Sequence, residues 1–127
     1  MRRLIISAAV IMIATAFNGF AYASVSGNYY VDETFFSGQL KVVERGGRIK
    51  FSLHTVTKLT SQIHVGEIEG TVPLANHVAV FRGEQGCVLK IIFAGSRAIV
   101  GGGSTCRYYI GSNGNFDGIY YRKKLKR

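Results

Sequence analysis

Tryptophan is absent, proline occurs once, and acidic side chains number only 7 against 16 Lys and Arg in 127 residues. A single proline leaves no proline-rich linker, and the length suits one small domain, which excludes a multidomain enzyme. The shortage of acid gives a formal charge of +9, so long-range attraction favours anionic partners. Two cysteines offer too few sulfurs for a thiolate metal cage. There is no Gly-x-Ser-x-Gly elbow and no His-Glu-x-x-His pair. Gly101-Gly102-Gly103-Ser104 lacks the Lys-Ser or Lys-Thr of a phosphate loop, has no predicted helix after it, and reads as a flexible turn. Nothing in these patterns implies a metal or a cofactor.

The one long apolar run lies at the start. Arg2 and Arg3 precede Leu4 to Phe17, followed by Asn18, Gly19 and Ala21-Tyr22-Ala23 before Ser24. This is the three-part organisation of a secretory signal peptide, with cleavage expected after Ala23. The run of about 14 residues is short of the roughly 20 that span a bilayer as a helix. No later stretch is long enough, so no transmembrane segment is expected once the signal is removed, and no Cys at the cleavage point marks a lipoprotein. The expected organisation is a signal peptide over 1–23, one β-domain over 24–121 and a basic tail over 122–127. Loss of Arg2 and Arg3 leaves a net charge of +7. Export to the periplasm or the medium lets Cys87 and Cys106 form a disulfide, the one pairing two thiols allow.

Beyond residue 23 no stretch carries apolar residues at helical spacing. Short alternating runs broken by glycine recur instead, which predicts an all-β fold. In Arg48 to His54 the apolar residues Ile49, Phe51 and Leu53 alternate with polar ones, and Gly46-Gly47 joins this run to Gly38–Arg45 through a tight turn. Further strands are expected at 63–72, 76–82, 87–93, 97–101, 106–110 and 116–123, with Ala94-Gly95-Ser96 as a hairpin tip. The 87–93 run is apolar on both parities apart from Lys90, the mark of a strand covered on two sides. About eight strands in so short a chain fit a small antiparallel barrel or a two-layer sandwich with one disulfide. Gly66 and Gly70 share a parity with Ile68 and Val72, which marks either bulges or close approach by a neighbouring strand or ring.

The order and spacing of His64-Val65-Gly66-Glu67-Ile68-Glu69-Gly70, Cys87-Val88-Leu89-Lys90-Ile91-Ile92-Phe93, Cys106 and Phe116-Asp117-Gly118-Ile119-Tyr120 resembles a bacterial export module. That module occurs as small secreted proteins and as the C-terminal part of LprI-type lysozyme-inhibitor-like proteins. The resemblance covers residues 62–123, and related patterns often carry Cys in place of Gly66 and Gly in place of Arg107. It implies a periplasmic β-domain and, through the family name, an inhibitor of a cell-wall-degrading enzyme.

Three histidines are available for acid–base work. Period-2 facing puts His54 outward and His64 inward, where a core histidine bonded to backbone is expected. Asp117 lies among Asn113, Gly114, Asn115 and Gly118, a turn composition. Glu67 and Glu69 share the outer face of one strand. A small hydrolase would have to combine His64 or His77 with Asp117. The doublets Tyr29-Tyr30, Tyr108-Tyr109 and Tyr120-Tyr121 each put one ring inside and one outside if they lie in strands. Outward rings beside basic groups suit sugar faces and anions. The candidate binding residues are Tyr109, Tyr121, Arg107, Arg122, Lys123 and Lys124. The resulting expectation is a non-enzymatic exported protein that binds an acidic envelope protein or an anionic polymer, whether glycan or lipid surface, and no nucleic acid. The tail Arg122–Arg127, with five cations in six residues, is a second route to an anionic lipid surface.

The mass of the secreted protein checks the foundation of this reading. It is expected to begin at Ser24 and to weigh two hydrogens less than the fully reduced chain.

Overall fold

The computed structural model describes residues 23–111 and 113–123. It is a closed barrel of eight antiparallel strands in sequence order. The strands are β1 (Gly27–Asp32), β2 (Phe36–Arg45), β3 (Arg48–Leu59), β4 (Gln62–Ala75), β5 (Val78–Arg82), β6 (Val88–Ala94), β7 (Arg97–Gly101) and β8 (Gly118–Arg122). Each strand pairs with its sequence neighbour, and β1 closes on β8 through Tyr29 opposite Arg122 and Tyr30 opposite Tyr121. The signal-peptide expectation falls almost wholly on residues 1–22, outside the described residues. Among the described residues no helix is long and apolar enough to cross a membrane.

The number of strands is the expected eight, but one of them is not where the sequence placed it. Cys106–Ile110, read as a strand, follows a 3₁₀ turn over Gly103–Thr105 and forms a one-turn helix, α1 (Arg107–Ile110), with Cys106 at the junction. The disulfide ties Cys106 to Cys87, just before β6, and Tyr109 N–H donates to the Cys106 carbonyl at 3.0 Å. This segment winds back on itself instead of running alongside a neighbour. In its place β1, outside the expected strands, supplies the eighth. The architecture is a barrel and not a sandwich, so among the described residues β6 has no second covering layer. Its Val88 and Ile92 stay half-buried on the outer face, which corrects the two-sided reading of that strand.

Closure sets the interior. Ile49, Phe51 and Leu53 are buried as their alternation requires, and β3 continues the same parity with Thr55 and Thr57. These inward threonines are satisfied by the chain that enters the barrel mouth after α1. Thr55 Oγ1 donates to the Asn115 carbonyl at 2.9 Å, and Asn115 N–H donates to Thr57 Oγ1 at 3.1 Å. Pairing of β4 with β5 is confined to Leu74 opposite Ala79 and Ala75 opposite Val78. The gap above is plugged by Ile110, packed at Gly66, and by the Phe81 and Tyr109 rings, whose centroids are 6.0 Å apart.

Between the two readings of Gly66 and Gly70, the packing selects close approach. A Cβ built at Gly66 would stand 2.5 Å from Ile110 Cδ1 and 2.7 Å from Phe116 Cζ; one at Gly70 would stand 2.9 Å from the Phe81 ring. The Gly101–Ser104 turn is pinned and not loose. Gly102 adopts φ 83°, and a side chain there would run into the Val88 carbonyl. Gly103 N–H donates to Asp117 Oδ1 at 2.8 Å. On the chain-entropy model the disulfide, with its sequence separation of 19, contributes about 3 kcal/mol by restricting the unfolded chain.

Overpacking at the plug is measurable. Gly66→Ala is expected to lose about 1–3 kcal/mol in urea unfolding, whereas Gly46→Ala meets no neighbouring atom among the described residues and suffers only its backbone strain at φ 61°.

Candidate functional site

Period 2 and the barrel register together write a row of side chains on the outer surface. Arg97 on β7 pairs with Tyr121 on β8, Tyr121 with Tyr30 on β1, Tyr30 with Gln39 on β2, Gln39 with His54 on β3, and His54 with Glu67 on β4. Directly opposed residues point to the same face, so one polar and aromatic band crosses six strands. Its centre is a groove of about 650 Å³, lined among others by Tyr30, Ser37, Gln39, His54, Tyr121 and Lys123.

The groove is partly organised before any ligand arrives. Lys123 Nζ lies 5.5 Å above the Tyr30 ring, a cation–π arrangement that occupies one face of that ring. Gln39 Nε2 donates weakly to the Tyr30 hydroxyl at 3.5 Å. His54 Nε2 and Glu67 Oε2 approach to 3.6 Å on the open surface, where such a pair contributes little. Tyr121 is 53% exposed and presents the freest aromatic surface in the row.

The doublets divide as expected in the two strands. Tyr29 and Tyr120 are fully buried, Tyr30 and Tyr121 face out, and each buried hydroxyl donates to the carbonyl four residues earlier. Tyr29 reaches Val25 at 2.7 Å, and Tyr120 reaches Phe116 at 2.8 Å. In Tyr108-Tyr109 the helix breaks the strand rule. Tyr109 is half-buried against Phe81, and its hydroxyl accepts from Glu84 N–H at 3.0 Å, while Tyr108 is the exposed ring. Tyr109 therefore holds the connection from β5 to β6 in place, and the outward partner is the residue the strand assumption missed.

The candidate residues do not form one site. Arg107 and Tyr109 belong to the rim that holds α1 and the β1–β2 and β3–β4 turns, whereas Tyr121, Arg122 and Lys123 lie towards the opposite rim, beside the β2–β3 and β6–β7 turns. Lys124 is outside the described residues. Arg122 is a clasp: its guanidinium lies 5.2 Å from the Tyr29 ring centroid, and Nη2 donates to the Tyr29 hydroxyl at 2.8 Å. Its Nε is buried without a hydrogen-bond partner among the described residues.

His64 faces inward as predicted, but its Nε2 is buried with no partner among the described residues, in place of the expected backbone bond. Asp117 performs the expected turn chemistry. Its N–H donates to Asn115 Oδ1 at 3.1 Å, and Asn115 Nδ2 donates back to the Asp117 carbonyl at 3.2 Å. Asp117 stands at the α1 rim and His77 in the β4–β5 turn at the other, so the two do not converge. Among the described residues no group of three or more His, Cys, Asp and Glu is arranged to hold a metal. No protein-family model, curated protein or solved structure matches the chain, so the side chains themselves carry the functional argument.

Burial, reinforced by the Asp117 charge, pushes the Tyr120 hydroxyl far above its ordinary value of 10.0. The unfolded chain then releases that proton more readily than the folded one, so stability falls as pH rises above about 10. Absorbance titration is expected to show the Tyr120 phenolate only with unfolding, and Tyr120→Phe is expected to weaken the alkaline loss of stability.

Proposed function

We propose that this chain is an exported, non-enzymatic binding protein of the bacterial envelope, and that its ligand is an anionic glycan polymer lying across β8, β1, β2 and β3. The observation that carries this reading is the placement of Tyr121 opposite Tyr30 in an open groove with Lys123 at its edge. Aromatic faces accept the C–H surface of sugar rings, Gln39 and Ser37 offer hydrogen bonds to hydroxyls, and the cation attracts carboxylate or phosphate substituents. Arg122 supports the site from below by fixing the end of β8. The groove is open to solvent and is lined from four strands, β8, β1, β2 and β3, which leaves room for more than one sugar unit.

A second reading takes the protein as an inhibitor or immunity protein against a cell-wall-degrading enzyme, in line with the LprI-type resemblance. Its support is an apolar tip at the α1 rim, where Phe35 is 68% and Ile63 66% exposed. Lys58 N–H donates to the Phe35 carbonyl at 2.8 Å, which holds the two turns side by side. Exposed apolar side chains grouped on adjacent turns are typical of protein contacts.

Titration with acidic and neutral polysaccharides of equal length separates the two. The leading reading expects binding of the acidic polymer, weakened at least fivefold by Tyr121→Ala, as for an anchor residue contributing about 1 kcal/mol or more. Equal binding by parent and variant would remove the groove from the argument. Capture of a cell-wall hydrolase that is lost in Phe35→Ser and kept in Tyr121→Ala would favour the inhibitor.

A further inference from the structure

The β2–β3 hairpin carries a second feature that the glycan groove does not use. Arg45 and Arg48 are directly opposite each other across the Gly46-Gly47 turn, and Lys50 follows on the same outer face, opposite Val43. All three cations are exposed. They line one groove of about 480 Å³ together with Val43, Ile49 and Thr71, and among the described residues no carboxylate contributes to it. Like charges placed directly opposite on neighbouring strands destabilise a hairpin. The fold alone would favour an acid at one of these positions.

The surroundings keep the cations accessible. A Cβ built at Gly46 or Gly47 would meet nothing within 4 Å among the described residues, so the turn that joins the two arginines is itself uncovered. Arg48 Nη2 donates to the Thr71 carbonyl at 3.3 Å, which draws that guanidinium over the groove. Thr71 also brings a hydroxyl to the lining. Two planar guanidinium forks, an ammonium and a hydroxyl form a donor set without acceptor competition from carboxylates, and guanidinium forks match phosphate oxygens in pairs.

We propose that the Arg45, Arg48 and Lys50 groove is a phosphate-binding site, which takes the phosphodiester or phosphomonoester groups of an envelope polymer or a phospholipid headgroup. It is separate from the Tyr30 and Tyr121 groove and does not depend on that groove having a glycan ligand. The opposed arginines are then the stability cost of a site built for a polyanion.

Two probes distinguish the sources: soluble inorganic polyphosphate, measured by calorimetry, and sedimentation with phosphatidylglycerol vesicles against phosphatidylcholine vesicles. The exported chain is expected to bind at least one of the phosphate probes in a salt-sensitive manner and to ignore phosphatidylcholine. Each of Arg45→Ser, Arg48→Ser and Lys50→Ser is expected to weaken binding about fivefold, from roughly 1 kcal/mol per cation near an anionic surface. Tyr121→Ala is expected to leave it unchanged. Binding of polyphosphate alone assigns a polymer, and binding of vesicles alone assigns a headgroup. Arg45→Glu serves as the folding control, since it converts a repulsive pair into an attractive one: its melting temperature is expected to equal or exceed the parent's while phosphate affinity falls. Binding of neither probe, or affinities untouched by the three serine variants, would overturn the proposal.

Discussion

Everything in this barrel depends on filling a small closed interior with rings where the opposing wall has no side chain. Tyr120 lies where a Cβ on Gly38 would be, Phe81 where one on Gly70 would be, and Ile110 with Phe116 where one on Gly66 would be. Interiors pack at crystal-like density, so neither partner of such a contact can be enlarged cheaply. The same contacts decide topology. Because Ile110 must reach Gly66, the chain between β7 and β8 turns inward as α1 and is held there by the Cys87–Cys106 bond and by the two inward threonines of β3. The weakly paired seam between β4 and β5 is thereby covered, which limits the exposed strand edge that would otherwise invite pairing with another chain.

Fixing the interior fixes the exterior, because a one-residue slip of any strand would exchange its two faces. With Tyr29 and Tyr120 locked inside by hydroxyl bonds to Val25 and Phe116, Tyr30 and Tyr121 must face out and meet across the closing strand pair. The polar and aromatic band is thus a consequence of the core. Its aromatic members are placed by the residues one position away, and Arg122 couples the two levels by bonding the buried Tyr29 while its neighbours Tyr121 and Lys123 remain at the surface.

Much of this was legible in the sequence, wherever local alternation decided the outcome. The β2–β3 hairpin follows from Gly46-Gly47, the facing of β3 from Ile49, Phe51 and Leu53, the inward glycines from their parity with Ile68, and the disulfide from having only two thiols. The misread pieces share a cause. Cys106–Ile110 has strand-like residues, but the covalent tether to Cys87 and the need to plug the β4–β5 gap override its propensity. Thr55 and Thr57 are polar at inward positions, so the apolar alternation ends at His54, whereas a tertiary partner, Asn115, makes their burial tolerable. The convergence of Tyr30, Gln39, His54 and Tyr121 required the register of four strands at once, which no window of sequence contains. Opposition of Arg45 to Arg48, by contrast, follows from the glycine turn alone. Its significance lies in the pairing, since a single cation on an outer face is ordinary.

The distribution of charge along the barrel axis gives these surfaces an orientation. Asp32, Glu33, Glu84 and Asp117 stand towards the α1 rim, mixed there with Lys58, Arg82 and Arg107. The opposite rim gathers Arg45, Arg48, Arg97, Arg122 and Lys123 around Glu44, whose Oε1 accepts from Val25 N–H. A molecule with one strongly basic end and one near-neutral end turns in the field of an anionic surface before it touches it, over a distance set by a Debye length of about 8 Å at physiological salt. The basic rim then leads, which brings the Arg45 and Arg48 saddle and the Lys123 end of the aromatic groove towards the polyanion. Phe35 and Ile63, at the far rim, are left pointing away from it. On the proposed readings, the basic end would meet the charged polymer or membrane and the apolar end a protein.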